Sequence, residues 1–360
     1  MSEEKVALVL GAGATLADGL SKPLRKQPPL DQGFFANSLR SHASELKEVL
    51  DYMQQHYGTN VRESGSDSLE RVMAVLYTDV FGGDLEEEAF SALRTLMSVF
   101  LRRLATTTGD IEMTKSRLLY RLVVGFLRDG FAPVNVTIIT FNQDIQAEKA
   151  LDAIQRTTTR SRQLVFKFPH CYRLPGQIHL TWPTRGGLPT FDVSESEGAG
   201  VTLLKLHGSL NWYSTHNTPN PKRGRLFDPD RAIGITTRKS IDTSMKLDVR
   251  GAGRKKFTFP IVVPPVVHKS GILHNSLKPV WALAEERLQT AQRVIIFGYS
   301  CPNNDWEAAN LVCRSLRANR TLKELSVIDP DPSVVLRYVQ LGAPNRIGYY
   351  RSAAAYLTSE

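Results

Sequence analysis

Lys205-Leu206-His207-Gly208-Ser209-Leu210-Asn211-Trp212 follows the largely apolar run Val201 to Leu204. A buried strand ending in His-Gly-Ser delivers an imidazole to the strand's carboxyl end, where open α/β sheets bind ligands, and the glycine lets a substrate approach the backbone. Taken alone, a histidine after an apolar strand is more often a satisfied structural residue than a catalyst.

Three other apolar strands run into polar turns. Val6 to Leu10 leads into Gly11-Ala12-Gly13-Ala14-Thr15, Val136 to Thr140 into Phe141-Asn142-Gln143-Asp144, and Val294 to Phe297 into Gly298-Tyr299-Ser300. Four such ends can line one crevice, as in an open α/β fold with a mostly parallel sheet. The first turn opens a helix near Thr15, and N–H groups at a helix start suit a pyrophosphate. A dinucleotide fingerprint would place a third glycine where Leu16 stands, so a tight structural turn explains this segment equally well. Asn142 and Asp144 reach the same sheet edge as the histidine. Asp144 also precedes a helical segment, Ile145 to Ile154, and N-capping accounts for it as readily as a ligand does. Asp305 precedes the helix Trp306 to Arg317 and reads as a cap, whereas Ser300 is freer to touch a ligand. Asp329, at the end of strand Leu325 to Ile328, suits either a ribose hydroxyl or an Asp-Pro turn.

The chain of 360 residues exceeds the usual single compact domain. Residues 1–33 and 131–360 read as the sheet domain and 34–130 as a large all-α insertion. Within the insertion, Leu39, Leu46, Val49, Leu50 and Met53, and then Leu69, Val72, Met73, Leu76 and Tyr77, fall at helical spacing. Ser66 or Asp67 is the expected cap of the second helix, and Gly82-Gly83-Asp84 separates it from a helix beginning near Glu86. Val165 to Tyr172 and Gln177 to Trp182 read as short β-like runs. The formal charge is +9, and Ser214 to Lys256 holds eleven basic and four acidic residues, so the basicity is local. This basic loop-rich insertion, 213–257, has no aromatic interleaving; it reads as a solvated loop rather than as a nucleic-acid motif. Three widely spaced cysteines, Cys171, Cys301 and Cys313, form neither a disulfide framework nor a thiolate cage and fit a cytoplasmic protein. No apolar run reaches the roughly 18 residues of a membrane span, and no leader or anchor is expected.

In order, Gly11-Ala12-Gly13-Ala14-Thr15, Thr140-Phe141-Asn142-Gln143-Asp144, Lys205 to Trp212, Gly298-Tyr299-Ser300 with Asp305, and the strand end at Asp329 resemble the sirtuin-like NAD-binding domains of bacterial antiphage defence proteins. The resemblance spans Val6 to about Asp329. It implies NAD as substrate, bound by a Rossmann-like sheet, with Asn142 and His207 as the catalytic pair. Gly11, Ala12, Gly13, Thr15, Asp144, Gly208, Ser209, Gly298, Tyr299, Ser300, Asp305 and Asp329 would be the NAD-binding residues. Protein-deacylating sirtuins carry a four-cysteine zinc module after the histidine, and here residues 213–293 contain no cysteine. No structural zinc is expected. The resemblance thus points to an NAD hydrolase that depletes NAD in antiphage defence, working as a homo-oligomer or with a motor ATPase or an Argonaute-like protein. A deacylase and a non-catalytic nucleotide sensor are the alternatives. Cleavage of the nicotinamide-ribose bond passes through oxocarbenium-like charge and asks for positioning more than for strong acid. Asn142 would hold a water or the ribose, and His207 would accept a proton, its ordinary pKa of about 6.5 suiting a base near neutrality.

Overall fold

The computed structural model describes residues 4–20, 22–23, 26–29, 31, 33–61, 68–82, 86–158, 165, 167–168, 170–174, 177–180, 190–192, 200–214, 233–235, 247–248, 256–257, 259–263, 277–302, 305–343 and 347–359. The strands are β1 (Val6–Leu10), β2 (Val136–Thr140), β3 (Gln177–Leu180), β4 (Thr190–Asp192), β5 (Thr202–Lys205), β6 (Gly208–Ser214), β7 (Ile233–Ile235), β8 (Leu247–Asp248), β9 (Lys256–Phe257), β10 (Phe259–Val262), β11 (Arg293–Phe297), β12 (Glu324–Ile328) and β13 (Gly348–Tyr350). The helices are α1 (Ala12–Gly19), α2 (Phe34–His42), α3 (Lys47–Tyr57), α4 (Leu69–Gly82), α5 (Glu86–Gly109), α6 (Leu118–Arg128), α7 (Gln146–Thr158), α8 (Lys278–Thr290), α9 (Trp306–Ala318), α10 (Ser333–Gln340) and α11 (Ala353–Ser359).

The main sheet is six-stranded in the order β13-β12-β11-β1-β2-β5. Each neighbouring pair is parallel. Every residue of β1, β2 and β5 is buried, which is why their sequences are apolar runs rather than alternations: a parallel sheet is covered on both faces. The chain lays down β1, β2 and β5 in one direction, then crosses to β11 on the other flank of β1 and continues outward. This is a doubly wound, Rossmann-like sheet with its switch point between β1 and β11, where such folds bind ligands at the carboxyl edge.

A five-stranded sheet in the order β10-β6-β7-β3-β4 lies against that edge, and β6 begins within three residues of the end of β5. His207 therefore sits in the turn that passes from one sheet to the other. The run 165–172 differs from its expected β character. Its described residues include a short 3-10 turn, His170–Tyr172, with Cys171 N–H donating to Lys167 O at 2.9 Å, because Cys171 and Tyr172 are drawn under β5 into the core.

Between α1 and β2 the chain is helical, from α2 to α6. The first periodic stretch is two helices rather than one: α2 ends at His42 and α3 starts at Lys47, so Leu46 can enter the core. The expected caps Ser66 and Asp67, like Gly83 and Asp84, lie outside the described residues. Ser68 does the capping, its Oγ accepting the Arg71 N–H at 3.0 Å. Val49, Met53, Val72, Met73, Leu76, Leu93 and Leu96 are all buried, so the stripes are core ridges. Lys149 of α7 ties this layer to the sheet domain by donating to the oxygens of Thr108, Gly109 and Ile111 at 3.1, 3.0 and 3.2 Å. A cation there satisfies carbonyls at the end of α5 and complements its dipole, although burial pushes the Lys149 ammonium's pKa down. Most of the basic insertion lies outside the described residues. Among the described residues no helix is long and apolar enough to cross a membrane.

Candidate functional site

At the switch point the β1 turn packs directly on the β11 turn. Gly11 N–H donates to Phe297 O and Gly13 N–H to Gly298 O, both at 3.0 Å. A Cβ on Gly11 would stand 2.3 Å from Gly298 O, and one on Gly298, whose φ is +63°, 2.2 Å from Ala14 N. The glycines thus serve backbone-to-backbone contact, and these two N–H groups, expected at a phosphate, are engaged by the neighbouring strand. Ala12, between them, is exposed.

Asn142, Asp144 and Thr15 form one cluster at the ends of β1 and β2. Asn142 Nδ2 donates to Gly11 O at 2.8 Å and to Thr15 Oγ1 at 3.0 Å, and the Thr15 hydroxyl donates to Asp144 Oδ2 at 2.7 Å. Gly11 O can only accept, so the contact fixes which end of the Asn142 amide is the NH2, and both of its hydrogens are used inside the protein. What Asn142 offers a ligand is its acceptor oxygen. Asp144 caps α7, its Oδ1 accepting the Gln146 N–H at 2.8 Å, while its Oδ2 accepts the Thr15 hydroxyl. Thr15, Asn142 and Asp144, with Asp18 and Thr140, line a small cavity of ≈ 10 Å³, about the room of one water.

His207 leaves β5 in register with Asn142 on β2: Thr140 pairs with Lys205, and each polar residue follows two positions later. Its main chain is pinned by Val263 N–H, which donates to His207 O at 2.9 Å. His207 is 6% exposed, and its ring is walled by Phe141 (centroids 5.3 Å apart) and Trp281 (6.1 Å). Phe141 in turn stacks on Tyr299 at 4.4 Å, and Trp281 Nε1 donates to Leu206 O at 2.9 Å.

His207 Nε2 lies 3.7 Å from Asp305 Oδ1, both side chains buried. Asp305 stands at the N-cap position of α9 but makes no side-chain cap hydrogen bond; its carboxylate faces the imidazole instead. The structure therefore joins residues from opposite flanks of the sheet.

Other candidate residues are placed differently. Gly208, at φ +75°, would bring a Cβ to 2.1 Å from Ile261 O, so its close approach is to β10. Ser209 is fully buried, and its hydroxyl donates to Asn211 Oδ1 at 2.5 Å. Ser300 gives its main-chain oxygen to Arg337 Nη1 at 3.0 Å, and Tyr299 its own to Tyr338 OH at 2.7 Å. Asp329 Oδ1 accepts the Asp331 N–H at 2.9 Å, closing the Asp-Pro-Asp turn, while burial raises its carboxyl pKa. The thiol of Cys313, on the helix that follows the Cys301 turn, acts together with burial to push the Cys301 thiol well up. Among the described residues no group of three or more His, Cys, Asp or Glu is arranged to hold a metal ion.

Gln143 and Lys205 were not singled out from the sequence. Gln143 Nε2 donates to Val263 O and its main-chain oxygen accepts Leu210 N–H, both at 2.8 Å, so it ties the Asn142 turn to the small sheet. Lys205 is a lysine at the end of an otherwise apolar buried strand, and that pattern was its signal.

No protein-family model matches the sequence, and no curated protein matches it. Among solved structures the chain is similar to a Sir2 homologue crystallised with NAD, at 14% identity over 99% of this chain and 88% of that one, TM-score 0.45. It is also similar to a triply mutated Sir2 homologue bound to 2′-O-acetyl ADP-ribose (13% identity, 99% and 90% covered, TM-score 0.42). A further likeness is to a singly mutated Sir2 homologue bound to ADP-ribose (12% identity, 99% and 90% covered, TM-score 0.41). Likeness at this level assigns the chain to no family.

Proposed function

We propose that the chain is an NAD glycohydrolase, cleaving the nicotinamide-ribose bond to nicotinamide and ADP-ribose. The observation that carries the reading is the acid-base arrangement at the carboxyl edge of the sheet. Asn142 presents a fixed acceptor, and His207 stands in register on the adjacent strand with the Asp305 carboxylate 3.7 Å from its Nε2. The motif order resembling sirtuin-like defence domains supplies the substrate class.

The proposed chemistry follows from what each group can do. The amide oxygen of Asn142 accepts a hydrogen bond from a ribose hydroxyl or from the attacking water, and the cavity beside it has the room of about one water. His207 takes the proton released as water or hydroxyl becomes a nucleophile, and Asp305 stabilises the imidazolium that results. Phe141 and Trp281 keep bulk water from the ring, which strengthens that electrostatic effect. The cationic nicotinamide leaves as a neutral molecule, so no strong general acid is required.

Gly11, Ala12, Gly13, Thr15, Asp144, Gly208, Ser209, Gly298, Tyr299, Ser300 and Asp329 remain the residues assigned to the NAD site, some acting through the turns they shape, and Asp305 acts there through His207. The biological role proposed with this activity is NAD depletion in antiphage defence, restrained by assembly into a homo-oligomer or with a motor ATPase or Argonaute-like partner.

Incubating the purified chain with NAD tests the reading, with and without an acylated peptide and across protein concentration. Nicotinamide release without peptide is the expected result. Release that depends on the peptide would make the chain a deacylase, and binding without turnover at every concentration would make it a sensor.

A further inference from the structure

The ammonium of Lys205 is wholly buried, at 0% exposed. It donates to the main-chain oxygen of Asp144 and to Glu148 Oε1 at 3.0 Å. The same Glu148 oxygen accepts Tyr172 OH at 2.8 Å. Tyr172 OH accepts Asn211 Nδ2 at 2.9 Å, and Asn211 Oδ1 accepts Ser209 Oγ at 2.5 Å. One buried chain of polar contacts therefore begins two residues after His207, passes through a lysine-glutamate ion pair, and ends on Asp144, two residues after Asn142. From Asp144 Oδ2 it continues through Thr15 to the Asn142 amide.

A buried ion pair is an expensive way to fasten a helix to a sheet. Two charges lose their hydration, and an apolar pair of similar volume commonly holds as well or better. What the charges add is direction, since the ammonium aims at one carbonyl and one carboxylate oxygen. That carbonyl belongs to the turn carrying Asn142, and the lysine belongs to the strand carrying His207.

We propose that Lys205 and Glu148 are positioning residues whose buried ion pair sets the Asn142 turn relative to His207. The inference rests on the reading that Asn142 and His207 act on one bond. The test is the double variant Lys205→Met/Glu148→Gln, which removes both charges together and leaves the Tyr172 hydroxyl an oxygen to donate to. A melting temperature close to that of the unsubstituted chain and an NAD KM changed less than about threefold are expected, while kcat falls about 30-fold or more, as for a reacting group displaced by a fraction of an ångström. A folded double variant with kcat within about threefold of the unsubstituted chain overturns the proposal. So does a parallel loss of melting temperature, affinity and kcat, the mark of a merely structural pair.

Should the double variant not fold, Glu148→Asp keeps the charge but withdraws the carboxylate from Lys205 Nζ. It should lower kcat alone, by about tenfold, and unchanged turnover overturns the proposal. If the unsubstituted chain releases no nicotinamide, the functional reading falls by itself. Positioning is then decided by NMR of the Asn142 side-chain amide, identified by its loss in Asn142→Ala: a shifted resonance in the double variant supports the proposal and an unmoved one overturns it.

Discussion

Nε2 of His207 lies 3.7 Å from Oδ1 of Asp305, although the histidine follows β5 at one edge of the sheet and the aspartate follows β11 beyond the switch point. A carboxylate at that distance in a dry site stabilises the ring mainly when it carries a proton. Asp305→Asn keeps the shape and removes the charge, so turnover should fall on the order of 10-fold to 10²-fold while NAD affinity changes little. Nicotinamide-release kinetics beside calorimetric binding of NAD check this. An Asp305→Asn protein with ordinary turnover would detach Asp305 from the proton transfer.

Asn142→Ala and His207→Ala should each cost about 10²-fold or more in kcat, and the double variant much less than the product of the two, because groups serving one transition state are not independent. Asn142→Asp is the sharper probe. It keeps an acceptor oxygen but turns a donor toward Gly11 O into a second acceptor, so the fixed orientation is lost. Its turnover should fall nearly as far as that of Asn142→Ala. If Asn142→Asp is as active as the unsubstituted chain, orientation by Gly11 is irrelevant to the reaction.

The sheet was legible in the sequence because its signal is local. Val6 to Leu10 is a continuous apolar run and Val136 to Thr140 a largely apolar one, each followed at once by the turn that shapes the site. What was not legible depends on partners remote in sequence. Nothing near Ser209 announces that its hydroxyl turns into the core toward Asn211 and Tyr172. Asp305 sits where a cap belongs, and only the tertiary approach of His207 gives its carboxylate another use. The split between α2 and α3 was hidden for a similar reason. Leu46 fits the helical period as well as it fits a buried connection between two helices.

Gly208→Ala should be strongly destabilising, because a Cβ there meets Ile261 O at 2.1 Å in a backbone already at φ +75°. The left-handed conformation alone costs a non-glycine residue about 1–2 kcal/mol, and the clash adds to it. Gly58→Ala is the control, since its φ is +62° with nothing within 4 Å. Urea unfolding should show about 1 kcal/mol lost at Gly58 and about 2 kcal/mol or more at Gly208. Equal losses would mean that β10 yields to make room.

Asp18 on α1 lines the same cavity as Asn142, and burial raises its carboxyl above the ordinary 3.8, outweighing the Leu118 N–H that its Oδ1 accepts at 2.9 Å and the nearby Arg117. The folded protein therefore favours the protonated form more than the unfolded chain does. Its contribution to stability is fully present below pH 3.8 and is lost as pH rises through the raised folded value. Asp18→Asn keeps an oxygen for Leu118 N–H and cannot ionise. The variant should gain stability relative to the unsubstituted chain as pH climbs from below 3.8 toward neutrality. Melting temperatures of both proteins across that range decide it. A difference that stays flat or shrinks with pH would show that the Asp18 carboxylate is comfortably charged, and that Arg117 and the start of α6, rather than burial, govern this corner of the site.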